Sequence, residues 1–352
     1  MTKKVYFLLP FALLILLTSC DKNISGEKPL DGRIEFTTAA GGGEEQSPAH
    51  ADAATRGVEI DNATLRNFKV FAYYTPGVFN AATSTPNFMY NTEVAKSGSA
   101  WQYEPLMYWP NSGKLSFFAY APAATPGLEM LSTATTPGPP KLTYTVPDLA
   151  TAQSDLLVAT PLYDQTTANV NGAHKLVIPF KHALSCIVFQ AKMTDAATYP
   201  VKITGISIES LDSKADYVYN GSTTPWDLTA YAPRGRSYSL TTANAALKDV
   251  DLKSQTADYL TVSADNAHLM VLPQQVADAT DQVSVHVEQS TSPTPNNYTV
   301  RVALSKLIPG SKLEAGKRYV IKILVATASA AATLTCTVEP WVIRTVDVPE
   351  FN

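Results

Sequence analysis

An all-β fold of two antiparallel β-sandwich domains in tandem is what this sequence predicts, on three observations. Short runs alternate apolar with polar side chains along most of the chain. Prolines, glycines and threonines separate the runs, and no helical periodicity of any length interrupts them. The pattern also stops at a polar stretch, Asp164 to Ala173, and then starts again. The 352 residues suit two such units, because single cores tend to stop growing near ~150–200 residues.

Composition narrows the class further. Hydrophobic residues at 45% supply ample core, while charged residues make up only 16%, a profile that suits an extracellular all-β protein better than a helical cytosolic one. The formal charge of −4 carries no basic patch, which argues against nucleic acid as a partner.

The elements follow in order. Met1 to Cys20 has Lys3 and Lys4, an apolar run from Val5 to Leu17, and then Leu17-Thr18-Ser19-Cys20, the pattern of a lipoprotein signal. As a helix that run spans only ~20 Å, short of the ~30 Å hydrocarbon core, so a spanning anchor is not expected. Small residues before Cys20 let a signal peptidase reach the backbone, and its thiol can become a thioether to diacylglycerol. Two or three acyl chains at ~0.8 kcal/mol per buried CH₂ would hold the protein on a membrane. Without this leader the chain loses Lys3 and Lys4 and is more acidic still.

Asp21 to Gly32 is polar and reads as a tether. Arg33 to Thr38, RIEFTT, sets Ile34, Phe36 and Thr38 against Arg33, Glu35 and Thr37, the signature of a half-buried strand. Ala39 to Thr55, with three successive glycines and Pro48, predicts an exposed mobile loop that ends at Arg56; the alternation resumes at Gly57. Strands are then expected at KVFAYY, at LTYTV from Leu142 and at DLLVAT from Asp155.

Between them lies Trp101 to Pro122, which reads as two strands joined by a Pro-Asn-Ser-Gly turn. Trp101, Tyr103, Tyr108 and Trp109 bring large apolar bodies, and each such ring buries roughly 150–250 Å², enough to nucleate one core. After Asp164 to Ala173 the pattern restarts with KLVIPF, LSCIVFQA, VKITGISIES, HLMVLP, VSVHVE, YTVRVALS, RYVIKILVA and LTCTVEPWVI.

A search for chemistry finds no enzyme, metal site or cofactor beyond covalent lipid on Cys20. His50, His174, His182, His268 and His286 show no ligand spacing, with His182 at a strand start and His286 on a polar face. No G-x-S-x-G or H-E-x-x-H occurs. Gly310 to Lys317 approximates a phosphate loop but has five residues between its glycines, Arg318 where a Ser/Thr is needed, and a strand after it. Asp148, Asp155 and Asp164 are too spread for a calcium loop. Cys186 and Cys336 both sit in strand patterns, leaving thiols and a disulfide open, and with no CxxC or Cys/His cluster zinc is not expected.

The order Trp101, Tyr108-Trp109-Pro110, Gly113 and Leu115 to Pro122 resembles the fimbrillin family, subunits of type V pili in Gram-negative anaerobes. The resemblance continues through Asp155 to Ala159, Phe180 to Leu184, Leu269 to Gln274 and Ala315 to Tyr319, and spans nearly all of the mature chain. It implies transthyretin-like topology for both sandwiches, which periodicity alone could not choose. It also implies that trypsin-like cleavage after an arginine removes an edge strand and opens a groove for a neighbour's strand. Arg56, with Gly57 as the new N-terminus, is the best match; Ile34 and Phe36 would leave with the strand.

The domains expected are then a signal peptide at 1–19, a tether with removable strand at 20–56, an N-terminal sandwich at 57–169 (with 33–38 before cleavage) and a C-terminal sandwich at 170–352. The function implied is a minor or tip subunit of a surface fimbria contributing to adhesion, since the last run, Leu334 to Val348, leaves little for the donor extension of a stalk subunit. Its partners would be other fimbrial subunits, the outer membrane through the lipid, and a host or bacterial surface receptor. The alternative is a monomeric outer-membrane lipoprotein that binds glycans through exposed Tyr73, Tyr74, Tyr217 and Tyr219.

Overall fold

β-Branched and aromatic residues crowd segments 69–75, 114–121 and 283–288, and such side chains favour extended backbone because they pack well on a pleated surface. The computed structural model describes residues 32–40, 59–170, 175–219, 225–231, 235–291, 293–327 and 331–341. The first half holds β1 (Phe36–Ala40), β2 (Asn67–Thr75), β3 (Met89–Ser97), β4 (Ala100–Gln102), β5 (Lys114–Ala121), β6 (Leu128–Met130), β7 (Leu142–Thr145), β8 (Leu157–Ala159) and β9 (Leu162–Gln165). The second holds β10 (Leu176–His182), β11 (Ser185–Met193), β12 (Val201–Leu211), β13 (Lys214–Tyr217), β14 (Trp226–Asp227), β15 (Arg236–Thr241), β16 (Leu260–Thr261), β17 (Leu269–Val271), β18 (Gln282–Gln289), β19 (Asn296–Ala303), β20 (Lys317–Val325) and β21 (Ala332–Pro340). Among the described residues the one α-helical turn is Leu304–Leu307. The chain is all-β, as its alternation predicts.

One sheet runs β1-β10-β8-β5-β2-β3-β4, with β9 also on β5. Its inward residues share a single core: Ile34 and Phe36 by β1, Phe68, Val70 and Ala72 on β2, Leu115 and Phe117 on β5, and Leu176, Ile178 and Phe180 on β10. One face of a sheet can share a core with itself only if the sheet is folded over, so the first sandwich is a single rolled sheet. Its two edges meet. The Ile34 N–H donates to the Met107 carbonyl at 2.9 Å, and the Trp109 N–H to the Gly32 carbonyl at 2.7 Å, on either side of an isolated bridge between Arg33 and Tyr108.

The outer face of β2 and β5 is covered as well. Phe71, Tyr73, Phe118 and Tyr120 join a second core that continues through the rest of the molecule. There Tyr319, Ile321 and Ile323 of the sheet β16-β11-β20-β21 share one core with Val283, Val285 and Val287 of the sheet β15-β12-β18-β19. A further sheet, β14-β13-β7-β6, takes two strands from each half, with Ala215 paired to Tyr144 and Tyr217 to Leu142. The division at residue 169 that the polar loop suggests is therefore crossed twice, by β10 in the first sheet and by β7 pairing with β13.

Three local expectations are corrected. The strand expected at 33–38 is regular from Phe36 to Ala40, because Arg33 and Ile34 are diverted to close the roll. Trp101 to Pro122 contains two strands and a turn but no hairpin. β4 pairs with β3 while β5 pairs with β2, so two strands lie between them. Trp101 meets Phe68, at 5.1 Å between ring centroids, and Trp109 meets Phe117 at 6.1 Å. Gly113 carries the turn at φ 81°, its Cα facing the Thr75 carbonyl where a Cβ would come within 2.8 Å. Tyr108 lies outside the core, half exposed. Finally, two pairings are parallel, β1 with β10 and β11 with β20, each joining strands far apart in the chain.

Candidate functional site

β1 closes the rolled sheet, and the way it is held defines the site. It forms one ladder, parallel to β10, from Phe36 beside Leu176 to Ala40 beside Phe180. Ile34 is 0% exposed and Phe36 2%. The Phe36 ring lies 5.4 Å from Tyr103, 5.9 Å from Phe68 and 6.1 Å from Phe117, so its burial contributes roughly 1.5–3 kcal/mol. Several buried polar groups take partners from this segment: the Tyr103 hydroxyl donates to the Ile34 carbonyl at 2.8 Å, and the Leu176 N–H to the Glu35 carbonyl at 2.7 Å. Burial pushes the Tyr103 hydroxyl up to about 12, so it stays a donor across the physiological range. Arg33 and Glu35 face outward and pair at 2.8 Å.

The chain is next described at Glu59, and here it is fastened to different elements. The Ile60 N–H donates to Asp155 Oδ2 at 2.9 Å. Asp155 is fully buried, and the same oxygen sits 2.9 Å from His182 Nδ1. The His182 ring stacks on Trp341 at 3.9 Å with planes 12° apart. Glu59 pairs with Arg318, which stands beside Cys186 in the β11–β20 register. Residues 32–40 are thus held by the first sheet, and residues 59 and 60 by a network reaching into the second half.

Of the sequence-predicted site residues, Ile34 and Phe36 occupy the inward positions expected of them. Cys20, Arg56 and Gly57 lie outside the described residues. Cys186 and Cys336 are both thiols, the first buried. His286 is exposed as expected, with Thr299 Oγ1 2.9 Å from its Nδ1. His182 ends β10 rather than starting a strand.

Two expectations fail. Tyr73 and Tyr219 are 1% and 6% exposed and donate to the carbonyls of Gly138 and Ala119, so they are core residues and not a glycan platform; Tyr74 and Tyr217 are half-buried against other rings and chain. Alternation shows that a strand has two faces but not that both are covered. The absence of a Cys/His cluster is also overturned, because Glu59, Cys186 and His268 bring donor atoms within 4.8 Å of one another. Burial holds the His268 imidazole neutral, its pKa lowered to about 4, and pushes the Cys186 thiol well up, with Asp155 adding to the rise. Neither that cluster nor the Asp155–His182 pair leaves a signal in linear spacing.

An all-β protein whose first sheet is closed by a singly laddered strand is the class that fold and site define. The family model described as Fimbrillin-like matches residues 55–341, and the chain belongs to that family. The Fimbrium subunit Fim1C of Phocaeicola vulgatus is 27% identical over 203 residues, 49% of this chain and 52% of that protein. The match thus spans about half the length of that relative. A crystal structure of a fimbrial protein from Bacteroides vulgatus has the same fold, with a TM-score of 0.63 at 20% identity over 78% of this chain and 92% of the other.

Proposed function

We propose that this chain is a structural subunit of a cell-surface fimbrium, exported as an outer-membrane lipoprotein and assembled by strand exchange. The observation that carries the reading is β1. It closes the rolled sheet through one ladder and two edge contacts, and its loss would leave an apolar, strand-shaped groove. That groove would be lined by Phe68, Tyr103, Phe117 and Phe180, with unpaired backbone groups along β10, at Met107 and at Trp109. Such a groove selects an extended segment from another chain, because only a strand satisfies its backbone donors and acceptors while filling its apolar sites.

Cleavage between Arg56 and Gly57 would free β1 together with the lipidated Cys20. Glu59 and Ile60 would stay fastened through Arg318 and Asp155, so a cut between the two fastenings need not disturb the second half. We infer a minor or tip place in the fimbrium for this chain, contributing to adhesion. Its partners would be neighbouring subunits, and a host or bacterial surface receptor at the tip.

Mass spectrometry of the assembled protein is expected to find its N-terminus at Gly57, and Arg56→Ala should block incorporation. Assembled protein that still begins at Cys20 would sink the strand-exchange reading. Separately, Cys20→Ala should abolish incorporation of labelled fatty acid and release the precursor from membranes. Unchanged labelling in that variant would refute the lipid anchor.

A further inference from the structure

Glu59, Cys186 and His268 come from distant parts of the chain, and the fold brings them together. Cys186 lies on β11, and His268 immediately precedes β17, which runs antiparallel to β11 with Cys186 opposite Met270 and Ile187 opposite Leu269. The Ile60 N–H, anchored on Asp155, fixes Glu59 beside them. Glu59 Oε1 then stands 3.7 Å from Cys186 Sγ and 3.6 Å from His268 Nδ1. A tetrahedral zinc ion, with bonds of about 2.3 Å to sulfur and about 2.0–2.2 Å to nitrogen and oxygen, sets its ligand atoms about 3.4–3.6 Å apart. The two measured separations are already close to that spacing.

We propose that Glu59 Oε1, Cys186 Sγ and His268 Nδ1 form a tetrahedral zinc site with solvent at the fourth position. His268 Nδ1 is buried, makes no hydrogen bond and lies 3.6 Å from Glu59 Oε1, so its lone pair has no other use in the fold. Arg318 contacts Glu59 through Oε2 and thereby turns Oε1 toward the sulfur, the kind of outer contact that orients a carboxylate ligand. Binding releases the Cys186 proton to solvent, and the resulting thiolate and carboxylate together balance the two charges of the ion. Sulfur and nitrogen donors favour zinc over magnesium or calcium. Glu59 and His268 keep about a fifth of their side-chain surface, 22% and 19%, which gives the ion a way in. The ion would clasp residue 59 to β11 and to the start of β17, whether or not the chain is cut at Arg56.

The test uses the full chain, stripped with a chelator, then titrated with Zn²⁺ by calorimetry and with Co²⁺ by absorption. One ion per chain is expected, with a thiolate-to-cobalt band in the near ultraviolet and the intense visible bands of tetrahedral cobalt. His268→Gln and Glu59→Gln, both at the rim and checked for folding by circular dichroism, should each lower zinc affinity by at least about tenfold to a hundredfold. Cys186→Ser should remove the ultraviolet band. If Cys186→Ser does not fold, the two rim variants decide the matter alone. Failure to take up one ion, uptake without the thiolate band, a band that persists in Cys186→Ser, or affinity unchanged in both rim variants would each overturn the site.

Discussion

Phe117→Ala is expected to lower the stability of the rolled sheet by about 3–5 kcal/mol, because the ring is 1% exposed and its removal leaves a cavity that neighbouring strands cannot close. Domains of ordinary stability have only about 5–15 kcal/mol to lose. The loss should fall unevenly. Phe117 touches Phe36 and Trp109, so the cavity opens directly beneath β1 and beside the segment that meets Gly32. Urea unfolding should show the drop, and hydrogen exchange should show Phe36 to Ala40 losing protection before β2 and β5 do. A variant with unchanged melting but altered ligand binding would reassign Phe117 from core to recognition.

Asp155→Ala should also be damaging, by about 1–3 kcal/mol, for a different reason. Asp155 and His182 have side chains 0% and 2% exposed, and one carboxylate oxygen accepts from the Ile60 N–H and lies 2.9 Å from His182 Nδ1. Its removal leaves the Ile60 backbone donor buried without its acceptor and opens a gap beside the His182 ring. Asp155→Asn keeps an acceptor for the Ile60 N–H and should recover part of the deficit. Because the network reaches Trp341 through the stacked His182 ring, tryptophan fluorescence should change in the Ala variant even where the chain stays folded. Denaturation curves for Asp155→Ala that overlay those of the unaltered chain would show that the network contributes nothing.

What the sequence made legible was whatever repeats at short range. The alternation at KVFAYY and from Leu115 to Pro122 announces strands, and Ile34 with Phe36 announce an inward pair; the structure has all of these. What it hid depends on which residues meet across long stretches of chain. The β7–β13 pairing, the diversion of Arg33 toward Tyr108 and the meeting of Asp155 with His182 are set by how sheets roll and stack, and no local period encodes that. The same blindness made Tyr73 look exposed and let Glu59, Cys186 and His268 pass as unrelated. Histidine and cysteine motifs are found by spacing only when one loop or hairpin carries them, and here three separate elements do.

The parallel ladder between β1 and β10 also bears on the order in which the molecule folds. Phe36 and Leu176 are partners roughly 140 residues apart, so their contact must wait for a large loop to close. β2 with β3, and β2 with β5, close much shorter loops and can form before β10 is in place. β1, the first strand among the described residues, is therefore among the last to find its place. It joins a sheet whose other strands already hold one another, and the transition state for folding should contain little of it: substitutions at Ile34 or Phe36 should accelerate unfolding far more than they slow refolding.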